Sequence, residues 1–214
     1  MTLTTLRVAL PKGRLFKPAA QLFTALGCRS VGELVDSRRL THEEPEAGFG
    51  FVLVKPMDVP TYVEYGVADL GIVGQDVLRE LARDLYEPLR LGFGACRLVV
   101  AGPPALRQAD WARRPILRVA TKYPRLARQY FLDRGLSIEV ITLAGSVELA
   151  PPMGLADLIV DVVDSGRTLA ANGLVEIETV MLSQACLIVN RASHKLHLGR
   201  IAAMIEQMRG MLEI

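Results

Sequence analysis

Aromatic side chains, unbalanced charge and long hydrophobic runs are all scarce in this chain. Aromatic residues make up only 6% of a sequence that is 50% hydrophobic, which favours an aliphatic α/β interior over a β-sandwich. The 25 Lys and Arg residues nearly balance the 23 Asp and Glu residues, and they form no basic block that would suggest a nucleic-acid surface. No segment is apolar for long enough to span a membrane, and no signal-peptide pattern precedes Leu6. We therefore expect a cytoplasmic protein that binds neither nucleic acid nor membrane.

Cysteine is scarce as well. The three cysteines, Cys28, Cys96 and Cys186, are widely spaced and form no Cys-x-x-Cys pair. An odd number at such spacing indicates reduced thiols of a cytosolic protein and offers no zinc site. The sequence predicts no directly bound metal ion.

Residues 157–168 form the most informative segment that the chain does contain. Leu158–Val163 is typical of a buried strand, because β-branched residues crowd a short run with polar ends. The turn Ser165–Thr168 leads into a short helical stretch, whose first N–H groups suit a phosphate. Asp161 and Asp164 can accept hydrogen bonds from sugar hydroxyls or hold a hydrated Mg²⁺. The pattern therefore indicates a phosphorylated ribose.

A purely structural interpretation of the same segment stays open. Asp164, Ser165 and Gly166 also suit an ordinary turn and helix N-cap. The segment is not a Walker loop, because no Gly-Lys-Ser/Thr follows, and it is not the Gly-x-Gly-x-x-Gly turn of a dinucleotide fold. Spacing alone does not decide between a ligand site and a turn.

The chain contains a faint internal repeat. Arg7-Val8-Ala9 with Lys12 is echoed by Arg118-Val119-Ala120 with Lys122, and each is followed by a helical stretch. Further on, residues 66–73 are echoed by residues 154–160 around a shared Ala-Asp-Leu. The matching segments are short, so chance remains the alternative; a true repeat would mean two similar α/β lobes.

Capping residues, glycines and the spacing of apolar residues predict several helices and one loop. Asp58 before Val59-Pro60 marks a helix start and Gly66 its end, while Ser146 with Glu148 marks a second start. Residues 199–212 space apolar side chains along one helical face, which favours core or a subunit contact. Residues 36–48 are polar and aperiodic, which predicts a mobile surface loop.

Strands that alternate with helices predict an α/β fold with two lobes, a mostly parallel sheet in each and a cleft between them. Residues 1–92 with 179–214 are expected to form lobe I, and residues 93–178 lobe II, which carries the 161–168 segment. Strands at 175–180 and 185–190 are expected to return to lobe I.

Several charged side chains are candidates for the wall opposite the 161–168 segment, or for the hinge. Lone basic residues on loops are usually only solvated, although Arg suits bidentate phosphate contacts and Lys acts as a point charge. An acidic candidate equally suits an N-cap for a helix over residues 77–83. These candidates are Lys12, Arg14, Lys55 and Arg97, with Asp76 as the acidic one.

Five motifs, in order along the chain, resemble signatures of the ATP phosphoribosyltransferase family. Together they span the chain from about residue 6 to residue 190, and the set is far more specific than any one of them. The motifs are Leu10-Pro11-Lys12-Gly13-Arg14-Leu15, Gly71-Ile72-Val73-Gly74-Gln75-Asp76, Ala95-Cys96-Arg97-Leu98, the run from Gly145 to Pro151, and the run from Asp161 to Leu169.

The resemblance implies two lobes of the type II periplasmic-binding-protein fold. It implies transfer of the 5-phosphoribosyl group of phosphoribosyl diphosphate to N1 of the adenine of ATP, the first step of histidine biosynthesis, with Mg²⁺ carried by the donor's diphosphate. The chain is similar to short-form members, which lack a C-terminal regulatory domain. Short forms imply a homodimer within a hetero-oligomer that contains a regulatory subunit resembling histidyl-tRNA synthetase.

The resemblance also implies roles for individual residues. Asp161 and Asp164 would hold the ribose hydroxyls and stabilise a cationic ring, and Glu148 is a candidate for the general base. The remaining donor-binding residues would be Ser146, Ser165, Gly166, Arg167 and Thr168. ATP and diphosphate would be bound by Lys12, Gly13, Arg14, Lys55, Asp76 and Arg97.

A competing function is a cytosolic two-lobed module that binds or senses a solute without catalysis. The expected fold is used widely for capture, so fold alone does not exclude it. The two acids followed by a Ser-Gly turn favour the phosphoribosyl reaction.

Overall fold

The polypeptide passes from one α/β unit to a second and then back to the first. The computed structural model describes residues 5–35, 38–114 and 116–212. The first unit comprises Met1–Gly94 and Gln184–Ile214, and the second unit comprises Ala95–Ser183. The sequence predicts these two divisions after residues 92 and 178.

The first unit holds a six-stranded sheet with helices packed on it. Its strands are β1 (Leu6–Pro11), β2 (Thr41–Glu44), β3 (Phe49–Val54), β4 (Leu70–Gly74), β5 (Tyr86–Arg90) and β11 (Ala185–Val189). Its helices are α1 (Phe16–Ala25), α2 (Val59–Glu64), α3 (Gln75–Leu81), α6 (Arg191–Leu196) and α7 (Leu198–Leu212), with 3₁₀ turns at Val31–Val35 and Pro56–Asp58.

The second unit holds a five-stranded sheet. Its strands are β6 (Cys96–Gly102), β7 (Leu117–Thr121), β8 (Ile138–Thr142), β9 (Leu158–Val163) and β10 (Val175–Ser183). Its helices are α4 (Pro124–Leu132) and α5 (Arg167–Ala171), with 3₁₀ turns at Pro104–Leu106, Trp111–Arg113 and Val147–Leu149. No helix in the described part of the chain is long and apolar enough to cross a membrane.

Both sheets are mixed, which corrects the expectation of mostly parallel sheets. In the first unit, with strand order β2-β3-β1-β4-β11-β5, only the β1–β3 and β1–β4 pairs are parallel. In the second, with order β10-β6-β9-β7-β8, β7 is parallel to β8 and β9, whereas β6 is antiparallel to β9 and β10. Helical crossovers produce the parallel pairs, while β2 joins β3 through a short turn that reverses the chain.

Two segments fold differently from expectation. Residues 175–180 do not return to the first unit, because β10 pairs along β6 as the edge strand of the second sheet and only β11 returns. Thr41–Glu44 is not part of a mobile loop but an edge strand paired with β3. Its polar composition suits an edge that faces solvent, which is why no apolar alternation reveals it. Residues 36 and 37 of the expected loop lie outside the described residues.

The core of the first unit gathers several of the chain's few aromatic side chains. The Phe23 ring from α1 meets Phe49 and Phe51 of β3 edge-on, at centroid distances of 5.5 and 5.2 Å. The apolar stripe on α7 packs into the same core through Ile201, Met204, Ile205 and Met208. The stripe is therefore core, as one of its two sequence-based interpretations holds.

One buried cluster of the second unit is wholly aliphatic. Val99, Ile159 and Val163 from the sheet pack with Val147 and Leu169, which lie beside the loops that follow β8 and β9. These loops are consequently attached to the core by their own apolar side chains.

Candidate functional site

A polar segment follows the buried part of β9. Ile159 and Val160 are fully buried, whereas Asp161 is half-buried and Asp164 is exposed. The Val162 N–H donates to Asp161 Oδ1 at 2.8 Å, which holds this carboxylate against its own backbone. The sheet interior thus anchors a strand end whose two carboxylates reach the surface.

A glycine in a left-handed conformation turns the chain from these carboxylates into α5. Gly166 occupies the N-cap position with φ of +75°, a backbone conformation that costs other residues free energy. Arg167 Nε donates to Ser165 Oγ at 3.3 Å across the turn. The first N–H groups of a helix lack carbonyl partners within that helix, so this turn suits an anion.

The turn encloses a cavity of about 240 Å³. Sites that bury a whole drug-sized ligand typically measure ~300–1,000 Å³, so this cavity suits one end of a ligand, such as a sugar phosphate. It combines carboxylates and hydroxyls with one guanidinium. The lining residues are Glu148 and the continuous run from Asp161 to Leu169.

Glu148 reaches this cavity from the segment after β8. The expected helix start at Ser146 produces only the 3₁₀ turn Val147–Leu149, whose N-cap residue Ser146 makes no side-chain capping hydrogen bond. Ser146 has a φ of +49°, which is unusual for a residue that is not glycine. Buried Val147 fixes the turn to the core, and Glu148 is thereby turned towards the β9 loop.

Arg97 lies beside the same loop, at the start of β6. Its Cα partner on β9 is Val163, the residue before Asp164. The guanidinium donates through Nη2 to both carboxylate oxygens of Glu176, at 2.8 and 3.1 Å. The hydrogen bond and the charge of Glu176 raise the pKa of Arg97, and the charge of Asp164 adds to this increase. A cation is therefore fixed within the electrostatic field of Asp164.

The first unit places its basic candidates on neighbouring loops. Strands β1 and β3 are parallel and in register at Pro11 and Val54, so Lys12 and Lys55 follow at the same sheet edge. The Lys12 N–H donates to the Val54 carbonyl at 2.8 Å, which ties the two loops together. Lys12 and Lys55 are both exposed.

Gly13 and Arg14 complete the loop after β1. Gly13 has a φ of +88°, and its carbonyl accepts from the Phe16 N–H at 3.0 Å, which turns the chain into α1. Arg14 is exposed and its Nη2 lies 3.5 Å from the Gly94 carbonyl. The loop therefore presents two cations, on Lys12 and Arg14, at the carboxyl edge of the first sheet.

Asp76 is buried rather than surface-exposed. It lies in the first turn of α3, one residue inside the helix, so it is not the N-cap; Gly74 is. Only 7% of Asp76 is exposed, and its Oδ1 lies where a Cβ on Gly74 would stand, 2.2 Å from that position. A side chain at position 74 would displace this carboxylate, which explains the glycine.

The structure thus sorts the predicted residues into two groups. One group lies in the second unit around the cavity and contains Glu148, Asp161, Asp164, the 165–168 turn and Arg97. The other lies in the first unit and contains Lys12, Gly13, Arg14, Lys55 and Asp76. Arg97 belongs with the carboxylates, although the sequence analysis groups it with the opposite wall or the hinge.

Sequence reasoning misses Glu176, the partner of Arg97. Glu176 is 79 positions from Arg97, and no motif or spacing connects the two. The only signal is one of two carboxylates on a strand of mixed polar and apolar residues, which is too common to indicate a role.

The family model and the relatives that match this chain carry the same name, ATP phosphoribosyltransferase. A model of the HisG family, described as ATP phosphoribosyltransferase, matches residues 55–210. The ATP phosphoribosyltransferase of Syntrophotalea carbinolica is 50% identical over 208 residues, which cover 95% of this chain and 94% of the relative. That of Moorella thermoacetica is 46% identical over 214 residues, covering 98% of this chain and 94% of the relative.

Solved structures show similar folds. A chain of the ATP phosphoribosyl transferase (HisG:HisZ) complex from Thermotoga maritima superposes with a TM-score of 0.83 at 32% identity, covering 98% of this chain and 99% of that chain. The periplasmic aliphatic sulphonate binding protein SsuA from Escherichia coli superposes with a TM-score of 0.57 at 13% identity, covering 96% of this chain and 71% of that chain. The second likeness concerns the fold alone.

Proposed function

The chain belongs to the HisG family of ATP phosphoribosyltransferases, and we propose on this basis that it transfers the 5-phosphoribosyl group of phosphoribosyl diphosphate to N1 of the adenine of ATP. A bond forms between N1 and the anomeric carbon as the bond from that carbon to the diphosphate oxygen breaks, and a proton is lost from the adenine amino group. Diphosphate leaves. The product is the first intermediate of histidine biosynthesis.

One observation carries this proposal beyond family membership: the cavity after β9 combines two carboxylates with a glycine turn at a helix start. A phosphoribosyl group offers hydroxyls for the carboxylates and a phosphate for the turn. A module that only binds solutes is not favoured, because the match to solute-binding proteins is one of fold.

The second unit would hold the donor. The backbone N–H groups of residues 165–168 and the Thr168 hydroxyl would bind the 5-phosphate. Asp161 and Asp164 would accept hydrogen bonds from the ribose hydroxyls and stabilise the positive charge that develops on the ring. Glu148 lies across the same cavity, from where it would accept the adenine proton, and Ser146 would contact the donor.

Cations would neutralise the phosphates of both substrates. Arg97 lies next to the donor turn and would meet an anionic oxygen of the donor. In the first unit, exposed Lys12, Arg14 and Lys55 share one sheet edge and would bind the phosphates of ATP or the departing diphosphate. Asp76 would face ATP or its Mg²⁺.

Members of this family generally depend on Mg²⁺, and the cavity offers the hard oxygen ligands that suit this ion. No three His, Cys, Asp or Glu side chains cluster closely enough to chelate a metal within residues 5–35, 38–114 and 116–212. Asp161 and Asp164 would therefore meet an ion that the donor's diphosphate already coordinates. The ion would offset the charge of the leaving group.

We propose that the chain works as a homodimer within a hetero-oligomer, together with a regulatory subunit that resembles histidyl-tRNA synthetase. The support is the match, over 99% of that chain, to a chain of the HisG:HisZ complex. We also propose a cytoplasmic location, which a reaction that consumes ATP supports.

The experiment is to measure diphosphate release from ATP and phosphoribosyl diphosphate with Mg²⁺, first with the purified chain alone and then with a histidyl-tRNA-synthetase-like partner. Product mass identifies the acceptor. Release in either condition supports the reaction, and a large gain with the partner supports the hetero-oligomer. No release in both conditions would contradict the proposed reaction.

A further inference from the structure

Glu176 pairs with Arg97 beside residues 164–168, which we call the donor loop. Both of its carboxylate oxygens lie within hydrogen-bond distance of Arg97 Nη2, at 2.8 and 3.1 Å. The same carboxylate lies close to the loop itself, since a Cβ added to Gly166 would stand 3.3 Å from Glu176 Oε1. Glu176 therefore lies against two parts of the site at once: the cation at the start of β6 and the glycine turn before α5.

A β-bulge in β10 gives Glu176 this orientation. Glu176 pairs with Ala101 and Glu178 pairs with Val100, so one residue is inserted between them relative to β6. Because Ala101 and Val100 are neighbours, their side chains point to opposite faces of the sheet. The two glutamates, which would share a face in a regular strand, are turned to opposite faces. Bulges often re-aim a side chain next to an active site.

The two faces of the second sheet contact different parts of the unit. Arg97 and Ala101 lie four residues apart on β6, so Glu176 is on the face of Arg97. Glu178 turns the other way, where it accepts a hydrogen bond from Tyr130 and pairs with Arg134 Nε at 3.3 Å. The bulge thus directs one carboxylate to the donor loop and the other to α4.

The Arg97–Glu176 pair is too exposed to act mainly as a stabilising ion pair. The side chains retain 39% and 34% of their accessible surface, and ion pairs at such exposure contribute little to folding stability. Its consequence is geometric, because a long, flexible guanidinium is held in one orientation next to Asp164. Pre-organised charge is more effective on a bound anion than charge that must be ordered on binding.

We propose that Glu176 is a positioning residue for the phosphoribosyl donor: it holds Arg97 over the 164–168 loop so that the guanidinium meets the donor's anionic oxygens. This inference rests on the proposed function, which supplies the donor. Glu176 acts through Arg97 and the loop, and it does not itself contact the reacting atoms.

The test compares Glu176→Ala and Glu176→Gln with Glu178→Gln as the matched control from the same strand. Steady-state rates with each substrate varied give separate KM values, and titration with phosphoribosyl diphosphate and Mg²⁺ gives a binding constant without turnover. We expect Glu176→Ala to weaken donor binding about tenfold, with the KM of ATP changed less than about twofold. Glu176→Gln keeps an acceptor oxygen and should recover part of the loss. Glu178→Gln should behave like the wild type, and all variants should melt near the wild-type temperature.

A double-mutant cycle with Arg97→Ala separates positioning from a direct role. If Glu176 acts through Arg97, adding Glu176→Ala to Arg97→Ala produces little further loss of donor binding. Unchanged donor binding in Glu176→Ala, additive losses in the double variant, or an equal loss in Glu178→Gln would overturn the inference. A wild-type chain that binds donor but transfers nothing to ATP would refute the proposed reaction while leaving this test intact. A wild-type chain that does not bind the donor would refute both.

Discussion

In the first unit, β1 lies between β3 and β4 and runs parallel to both; in the second, β7 lies between β8 and β9 and runs parallel to both. The next strand outwards is antiparallel in each case, β11 beside β4 and β6 beside β9. Four consecutive strands therefore match in order and direction, as the faint sequence repeat predicts. We call these four strands the frame; they are β3, β1, β4 and β11 in the first unit and β8, β7, β9 and β6 in the second.

In both units an aspartate links two neighbouring strands of the frame through the same pair of hydrogen bonds. In the first unit the Arg7 N–H donates to Asp69 Oδ2 and the Asp69 N–H donates back to the Arg7 carbonyl, both at 2.8 Å. In the second unit Arg118 and Asp157 form the same reciprocal pair, with both distances at 2.9 Å. The aspartate of each Ala-Asp-Leu segment thus joins the start of one parallel strand to the start of its neighbour by hydrogen bonds.

The units differ at the opposite, carboxyl ends of the matching strands. β4 leads directly into α3, with Gln75 and Asp76 both only 7% exposed. β9 leads instead into an open turn with exposed Asp164 and a cavity. A shared frame with divergent loops means that stability belongs to the frame and ligand chemistry to the loops. This division can be tested by substitutions in each part.

The largest effect is expected from replacing the two aspartates that line the cavity, Asp161→Asn with Asp164→Asn. Turnover should fall by at least about a thousandfold, because the charge that stabilises a cationic ribose is removed. The free energy of unfolding should hardly change, since Asp164 lies outside the frame and asparagine at position 161, in β9, keeps an acceptor oxygen for the Val162 N–H. Diphosphate release and thermal melting measure the two quantities. Asp133→Asn, an exposed aspartate at the end of α4, is the control; wild-type activity in the double variant would remove the assigned roles.

The frame is tested by Asp69→Ala and Asp157→Ala. Each should lower the free energy of unfolding by about 1–3 kcal/mol, because each leaves a backbone N–H without its charged acceptor. The two losses should be similar, since each aspartate also accepts from a side chain: Asp69 from Ser193 Oγ at 2.6 Å and Asp157 from Arg114 Nη1 at 3.0 Å. Urea denaturation measures both. A loss in only one variant would show that the two pairs are not equivalent and would break the comparison.

Alanine substitutions at two glycines, one in the donor loop and one after α5, separate the cost of backbone strain from the loss of donor binding. Gly166 and Gly173 have φ values of +75° and +71°, so alanine at either position should destabilise by about 1 kcal/mol. Only at Gly166 would the added Cβ approach a site residue, Glu176, whereas Gly173 has nothing within 4 Å. Gly166→Ala should therefore raise the donor KM by roughly fivefold while Gly173→Ala does not. Equal KM values would place the loop outside donor binding.

Sequence reasoning locates the parts of the molecule that depend on local pattern. The strand Leu158–Val163, the turn after it and the buried stripe on α7 follow from β-branched runs, glycine punctuation and helical spacing, and the structure shows each of them. The repeat is also readable, because the frame requires an aspartate at an equivalent place in both units.

Long-range geometry is what the sequence does not reveal. The grouping of Arg97 with Asp164 depends on β6 lying beside β9, and the contact from Glu176 depends on a bulge opposite Ala101. The alternative interpretation of Asp76 as an N-cap is wrong, because α3 begins at Gln75, two residues earlier than the expected helix over residues 77–83. The first two differences involve pairing and register between distant segments, which no local pattern encodes, whereas the third is a shift in a local helix boundary.

The smallest expected effect concerns the edge strand β2, which has no counterpart among the described residues of the second unit. Burial alone would raise the pKa of Glu44, but hydrogen bonds from the Ser30 backbone and hydroxyl and from His42 lower it overall from the ordinary value of 4.5. The ionised carboxylate therefore stabilises the fold above pH 4.5, and this contribution is lost as the pH falls through the lower folded pKa. Ser30→Ala should reduce the free energy of unfolding at pH 7 by about 0.5–1 kcal/mol, and the difference should shrink as Glu44 becomes protonated. Urea denaturation across this pH range measures it, with exposed Ser137→Ala as the control. A difference that is independent of pH would mean that the Ser30 hydroxyl stabilises β2 without acting on the charge of Glu44.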